Sequence, residues 1–218
     1  MNWTWLRRAP WLDTRSRFLA GVPAGGTLLD LGSSDGETLG HLHEMRPDLR
    51  YFASDLEGRP DAYPPGCQFH RGDIQRDKLP WPDASMDAIT CMQLVEHLTD
   101  LKPLYQEATR LLKPGGRLYV ETPHPKTLVY SSSYKCSFTI NFYDEPTHIR
   151  PVPLGILAQH ATGVGLRPVQ GGVSRNWLFA ALWPFYFFCP ASRKKFTSMV
   201  HFRGWSVYLT CRRPDARP

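Results

Sequence analysis

Nowhere in the 218 residues does a lysine follow a glycine. That absence excludes the phosphate loop, whose Gly-Lys pair reaches the β- and γ-phosphates. Cysteine is sparse as well. Cys67, Cys91, Cys136, Cys189 and Cys211 are odd in number and never spaced C-x-x-C, so neither a zinc cluster nor a disulfide framework is indicated. A reducing, cytoplasmic setting fits best, with membrane association as a variant of it. No run of about 18 residues escapes polar interruption, so a spanning helix is not expected. The opening stretch Met1–Arg8 places its charges after its apolar residues, the wrong order for a secretory signal. Excess charge of one sign is modest, +6, and much of it lies in Arg7-Arg8, Arg193-Lys194-Lys195 and Arg212-Arg213. Short basic clusters are usually solvated surface. With no aromatic–basic strand pattern, a nucleic-acid partner is not expected.

What is present is organised around one stretch. Thr27–Leu31 is a short apolar run behind Gly25-Gly26, and it leads into Gly32-Ser33-Ser34-Asp35-Gly36. Leu39, Leu42 and Met45 then recur at helical spacing, with Pro47 just past them. A strand, a tight glycine turn and a helix start form a cradle. Glycine lets the backbone approach a ligand, and the free N–H groups of a helix start favour polar or anionic groups. The turn does not have G-x-G-x-x-G spacing, because Ser34 stands two residues after Gly32.

The chain continues as alternating strands and helices. Arg50–Asp55 reads as a second strand ending in an acid. Its distance from Gly36 places Asp55 where a carboxylate holds a ribose, with Leu56 beside it. A short third strand, Cys67–His70, leads to Gly72-Asp73-Ile74, and a fourth ends near Cys91. Leu101, Leu104, Tyr105, Ala108, Leu111 and Leu112 make an apolar helical stripe. Lys113-Pro114-Gly115-Gly116 reads as its stop. Arg117–Thr122 is a fifth strand, Leu166–Val169 a sixth and Trp205–Cys211 a seventh. The alternation indicates an α/β fold with a parallel sheet.

Leu29-Asp30-Leu31-Gly32 with Gly36 resembles motif I of the class I S-adenosylmethionine-dependent methyltransferases. Gly72-Asp73-Ile74, Leu79–Cys91, Met92–Leu98 and Leu111–Val120 resemble that family's following segments in order and spacing. The resemblance implies a Rossmann-like sheet of seven strands, the last antiparallel, with helices on both faces and an insertion after strand five. It implies S-adenosylmethionine as cofactor. It places Asp30, Gly32, Ser33, Ser34 and Gly36 at the cradle, Asp55 and Leu56 at the sugar, and Asp73 and Ile74 at the adenine. The backbone of Cys91 and the side chain of Gln93 fall at the methionine end. Ser33 and Ser34 depart from the frequent Cys-Gly of motif I.

Residues 1–218 are taken as one domain. It comprises an N-terminal arm (1–20) holding Trp3, Trp5 and Trp11, a substrate-side insertion (123–153), and an aromatic–basic insertion (172–204). The first insertion lies beyond a strand's carboxyl end, where open α/β sheets bind ligands. It carries Tyr130, Tyr134, Tyr143, His124 and His148. Histidine titrates near neutrality and can take a proton from a hydroxyl, so His148 first and His124 second are the candidate bases. No metal is indicated. For the stretch 177–188, core packing is the first expectation. A membrane-surface anchor and a wall for a greasy substrate are the alternatives. The leading reading is methyl transfer to a small or lipid-linked acceptor at oxygen. The alternative is a non-catalytic nucleotide-binding or membrane-surface protein on the same fold.

Overall fold

A computed structural model describes residues 3–131 and 140–215, so Tyr134 lies outside the described residues. The elements run α1 (Thr14–Leu19), β1 (Thr27–Leu31), α2 (Glu37–Met45), β2 (Arg50–Asp55), β3 (Gln68–Arg71), β4 (Met86–Met92), α3 (Lys102–Leu111), β5 (Leu112–Pro123), α4 (Leu154–Gly163), β6 (Arg167–Val173), α5 (Trp177–Phe187), α6 (Arg193–Arg203) and β7 (Ser206–Arg212). The seven strands form one sheet in the order β3-β2-β1-β4-β5-β7-β6. β7 is antiparallel to both neighbours, and every other pair is parallel. The sheet is therefore of the expected Rossmann-like kind.

Side-chain alternation along the strands explains why helices cover both faces. Leu29, Leu31, Ile89, Cys91, Leu118 and Val120 point to one side, where Leu104, Tyr105, Ala108 and Leu111 of α3 and Leu157 and Ala161 of α4 pack on them. Leu28, Ala88, Met92 and Tyr119 point to the other, against Phe18, Leu19, Leu39, Leu42 and Met45 of α1 and α2. Leu6 of the N-terminal arm is buried in that second cluster. The strand order reverses between β1 and β4, so the crevice at their carboxyl ends is a topological switch point, where such sheets take ligands.

Two expectations need correction. The helix stops just ahead of Lys113–Gly116, as expected, but the fifth strand starts there too, at Leu112 and not at Arg117. α3 ends at Leu111, and Leu112 already pairs with Met86. The next ladder pair is Ala88 with Arg117, so Lys113–Gly116 loop out as a bulge. Gly115 sits there at φ +77°, its N–H donating to the Arg213 carbonyl, and Lys113 Nζ meets Asp87 at 2.7 Å. The second correction concerns 177–188. That stretch is helical, yet of α5 only Ala180 is buried, and Trp177, Phe185, Phe187 and Phe188 are exposed. An eleven-residue helix that is apolar all round cannot bury every face when α6 packs along one side and Trp3 of the arm touches it at Phe179.

Candidate functional site

The glycine turn is held in a conformation that L side chains disfavour. Gly32 and Gly36 lie at φ +76° and +81°, and Ser34 is at +44°. A Cβ added at Gly32 would come within 3.0 Å of the Leu94 Cβ, and one at Gly36 within 2.6 Å of the Tyr63 ring. Tyr63 acts as a clasp. Its hydroxyl donates to the Ser34 carbonyl, accepts from the Arg59 N–H and shares a 2.8 Å hydrogen bond with Ser33 Oγ. From β2, Asp55 closes the other side. One carboxylate oxygen accepts from the Ser34 N–H at 2.9 Å, the other from the Glu57 N–H at 3.0 Å. A carboxylate offers about four acceptor positions, so both oxygens keep capacity for vicinal hydroxyls.

Beside this turn lies a cavity of about 130 Å³. Gly32, Asp55, Leu56, Asp73 and Ile74 line it together with Leu94, His97 and Leu98. Five residues singled out from three separate segments thus meet at one place. Asp73 caps its own turn, accepting from the Gln75 N–H at 2.9 Å, and Gln75 Oε1 in turn accepts from Thr99 and Asp100. Asp30, Ser33 and Cys91 lie in the interior beneath the turn, outside the lining of this cavity. Burial pushes the Asp30 carboxyl up to about 7 against the opposing hydrogen bond from Thr90 Oγ1, 2.6 Å long.

A second cavity, about 310 Å³, opens between the N-terminal arm, α2 and α6. Gln93, at the end of β4, lines it with Arg15, Glu121, His201 and Trp205. Gln93 is held at φ +55° by its N–H bond to the Glu121 carbonyl, and its buried Oε1 has no hydrogen-bond partner among the described residues. Strained backbone and an unsatisfied polar atom at a cavity wall are marks of a site awaiting a ligand. Below Gln93, Arg15 grips Glu121 with two bonds of 2.7 and 3.1 Å, and the Tyr119 and Ser174 hydroxyls donate to the same carboxylate. Although burial opposes it, the Arg15 guanidinium holds Glu121 down to about 2. Arg193 of α6 forms an ion pair with Glu37 at the start of α2 and closes one wall.

Neither candidate base lines these two cavities. His124 caps the short helical turn Pro125–Val129, its Nδ1 accepting from the Lys126 N–H. Burial and the Lys126 ammonium lower its pKa. His148 packs between Phe142 and His97, ring centroids 4.4 and 4.8 Å away, with Nδ1 2.6 Å from the Phe142 carbonyl. Its pKa is lowered by burial. Behind it lies Glu96, fully buried, whose carboxyl burial raises to about 7.

Reading the sequence alone missed Tyr63, Arg15, Glu121 and Glu96. Tyr63 sits in a proline-rich loop with no periodic signal. Arg15 and Glu121 are 106 residues apart and meet only across the sheet end. Glu96 has a faint local mark, an acid inside an otherwise apolar run ahead of His97.

Residues 29–120 match the family model described as a methyltransferase domain. Over 93 residues the chain is 30% identical to a ubiquinone biosynthesis O-methyltransferase of Chromobacterium violaceum, covering 40% of each chain. Over 120 residues it is 30% identical to a demethylmenaquinone methyltransferase of Deinococcus radiodurans, covering 51% of this chain and 49% of the relative. The match thus spans less than half the length of these curated relatives. The fold resembles that of an S-adenosylmethionine-dependent methyltransferase from Mesorhizobium loti, with TM-score 0.62 and 18% identity over 95% of this chain and 98% of the other.

Proposed function

Given that residues 29–120 form a class I S-adenosylmethionine-dependent methyltransferase domain, we propose that the chain binds that cofactor across the β1/β4 switch point and methylates a small acceptor at oxygen. The observation that carries this reading is the meeting of Gly32, Asp55 and Asp73-Ile74 at one cavity. The residues suit the group. Asp55 has acceptor capacity for a ribose, the apolar Ile74 and Leu98 suit a purine face, and the unpartnered Gln93 Oε1 can accept from an ammonium. When bound, S-adenosylmethionine supplies a methyl group already activated by the sulfonium charge.

The chain's own contribution is alignment and exclusion of water. In favourable cases, holding two reactants in line contributes on the order of 7–11 kcal/mol. The larger cavity holds the acceptor, and the Arg193–Glu37 pair shields it from solvent. His124 and His148 stand behind the cavity walls and position the insertion that borders the site.

Calorimetry with S-adenosylmethionine tests the cofactor assignment. Wild-type protein binds it and does not bind NAD or ATP. Asp55→Ala removes the ribose acceptor and frees the Ser34 N–H, so affinity falls by roughly 1–3 kcal/mol, the scale of leaving polar partners unpaired. Equal affinity in the two proteins removes the ribose assignment, and no binding to the wild type removes the function.

The acceptor in this reading is lipid-linked, in keeping with the quinone-pathway names of the relatives. Trp177, Phe185, Phe187 and Phe188 stand exposed beside the basic run at 193–195. Aromatic side chains next to cations seat well at the headgroup level of an anionic leaflet. No helix among the described residues is long and apolar enough to cross a membrane. The chain is expected to sediment with vesicles containing anionic phospholipid, and Phe185→Ser with Phe188→Ser should cut the bound fraction several-fold. Equal sedimentation of wild type and double variant would discard the membrane reading and leave methyl transfer untouched.

A further inference from the structure

Glu96, His97 and His148 form the one cluster among the described residues in which three metal-ligating side chains converge, one ligand atom of each lying within 4.8 Å of the others. The cluster joins two segments distant in sequence, the loop after β4 and the insertion after β5. Backbone fixes the junction, since the Ile149 N–H donates to the Glu96 carbonyl at 2.9 Å. Nothing in the proposed methyl-transfer chemistry uses Glu96, whose Oε1 is fully buried and without a hydrogen-bond partner. A buried, unsatisfied carboxylate oxygen facing two imidazoles calls for a partner.

Each side chain is oriented from behind. Glu96 Oε2 accepts from Thr122 Oγ1 at 2.9 Å, which leaves Oε1 pointing inward. The His148 Nδ1 lies 2.6 Å from the Phe142 carbonyl and so must donate to it. The lone pair of that ring is therefore on Nε2, and Nε2 faces Glu96 Oε1 at 3.9 Å. The Thr147 carbonyl likewise engages Nδ1 of His97 at 3.2 Å, leaving Nε2 as its lone-pair nitrogen. Outer hydrogen bonds that fix tautomer and ring orientation are the support that metal-binding histidines carry.

We propose that Glu96, His97 and His148 bind a divalent transition cation such as Zn²⁺ or Mn²⁺. Two imidazoles and one carboxylate suit such an ion and leave coordination positions open. Ligand bonds of about 2.0–2.2 Å at a tetrahedral angle place ligand atoms about 3.4 Å apart, so binding draws His148 Nε2 and Glu96 Oε1, 3.9 Å apart, together by roughly half an ångström and closes the widest pair, within 4.8 Å, by up to about 1.4 Å. His97 also lines the smaller cavity, so the open positions fall at the border of the site. The cation site stands independently of the methyltransferase reading.

The test titrates the chelator-treated full chain with ZnCl₂ and MnCl₂ by calorimetry, and with CoCl₂ by visible absorption. Wild type is expected to bind one ion per chain, with Co²⁺ bands of nitrogen and oxygen ligation. His148→Ala and Glu96→Gln should each weaken binding at least tenfold, while S-adenosylmethionine affinity of His148→Ala stays at the wild-type value. Absence of the Co²⁺ bands in wild type overturns the site, as does equal metal affinity in wild type and His148→Ala. If Glu96→Gln fails to fold, those two readouts still decide. Loss of cofactor binding in wild type would count against the methyltransferase reading alone.

Discussion

Arg15→Met is expected to lower stability by about 3 kcal/mol, which for a chain of this size shifts the melting point by roughly 10 °C. The methionine fills the space and removes the cation. Glu121, 2% exposed at the side chain, then keeps only the Tyr119 and Ser174 hydroxyls as partners. Breaking a buried ion pair from one side costs about 3–5 kcal/mol because a charge is left uncompensated. The low end applies because Glu121 lines the larger cavity, where water reaches it. Acid titration separates lost charge pairing from lost packing. The Arg15 guanidinium holds Glu121 at about 2, below its ordinary value of 4.5. A depressed carboxylate contributes stability above its unfolded pKa and loses it as pH falls toward the folded one. The gap between wild type and variant should therefore narrow by about 1 kcal/mol between pH 7 and pH 3.5, and go on narrowing toward pH 2. Asp30 and Glu96, raised to about 7, act with the opposite sign; the Arg15 charge opposes the rise at Asp30, so removing it raises Asp30 further and adds to the narrowing as pH falls. A gap constant with pH would show that Arg15 contributes packing and not charge.

Gly36→Ala should destabilise the chain by about 2–3 kcal/mol and weaken S-adenosylmethionine binding at least tenfold. The left-handed backbone there, φ +81°, costs an L residue roughly 1–2 kcal/mol. The new methyl would also stand 2.6 Å from the Tyr63 ring, which must move. Moving it breaks the hydrogen bonds by which Tyr63 holds Ser33, Ser34 and Arg59. Gly40, four residues on and inside α2, supplies the control. Nothing lies within 4 Å of a Cβ there, so Gly40→Ala should gain about 0.5–1 kcal/mol from helix propensity and leave binding alone. Wild-type affinity in Gly36→Ala would show that the turn does not cradle the ligand.

Much of this protein was legible without coordinates. The apolar run at 27–31 and the stripe of α3 specified a buried strand and a helix, because burial against a parallel sheet writes itself as local hydrophobic pattern. Gly32 and Gly36 announced the turn for the same local reason, since a backbone at positive φ tolerates little else. Asp55 was read from its position at a strand end, whereas Asp73 and Ile74 were marked only by the family resemblance. Lys113–Gly116 marked the end of the helix but misplaced the start of the strand, because a glycine-rich bulge and a loop use the same residues and differ only in what the chain pairs with on either side. The aromatic stretch 177–188 misled because hydrophobicity records an affinity for apolar surroundings, not which surroundings the fold supplies. Tertiary structure alone joined Arg15 to Glu121, set Tyr63 over Gly36 and brought His148 to Glu96. Those contacts link residues distant in sequence through single side chains, and one polar residue without a repeating neighbour leaves no period to read.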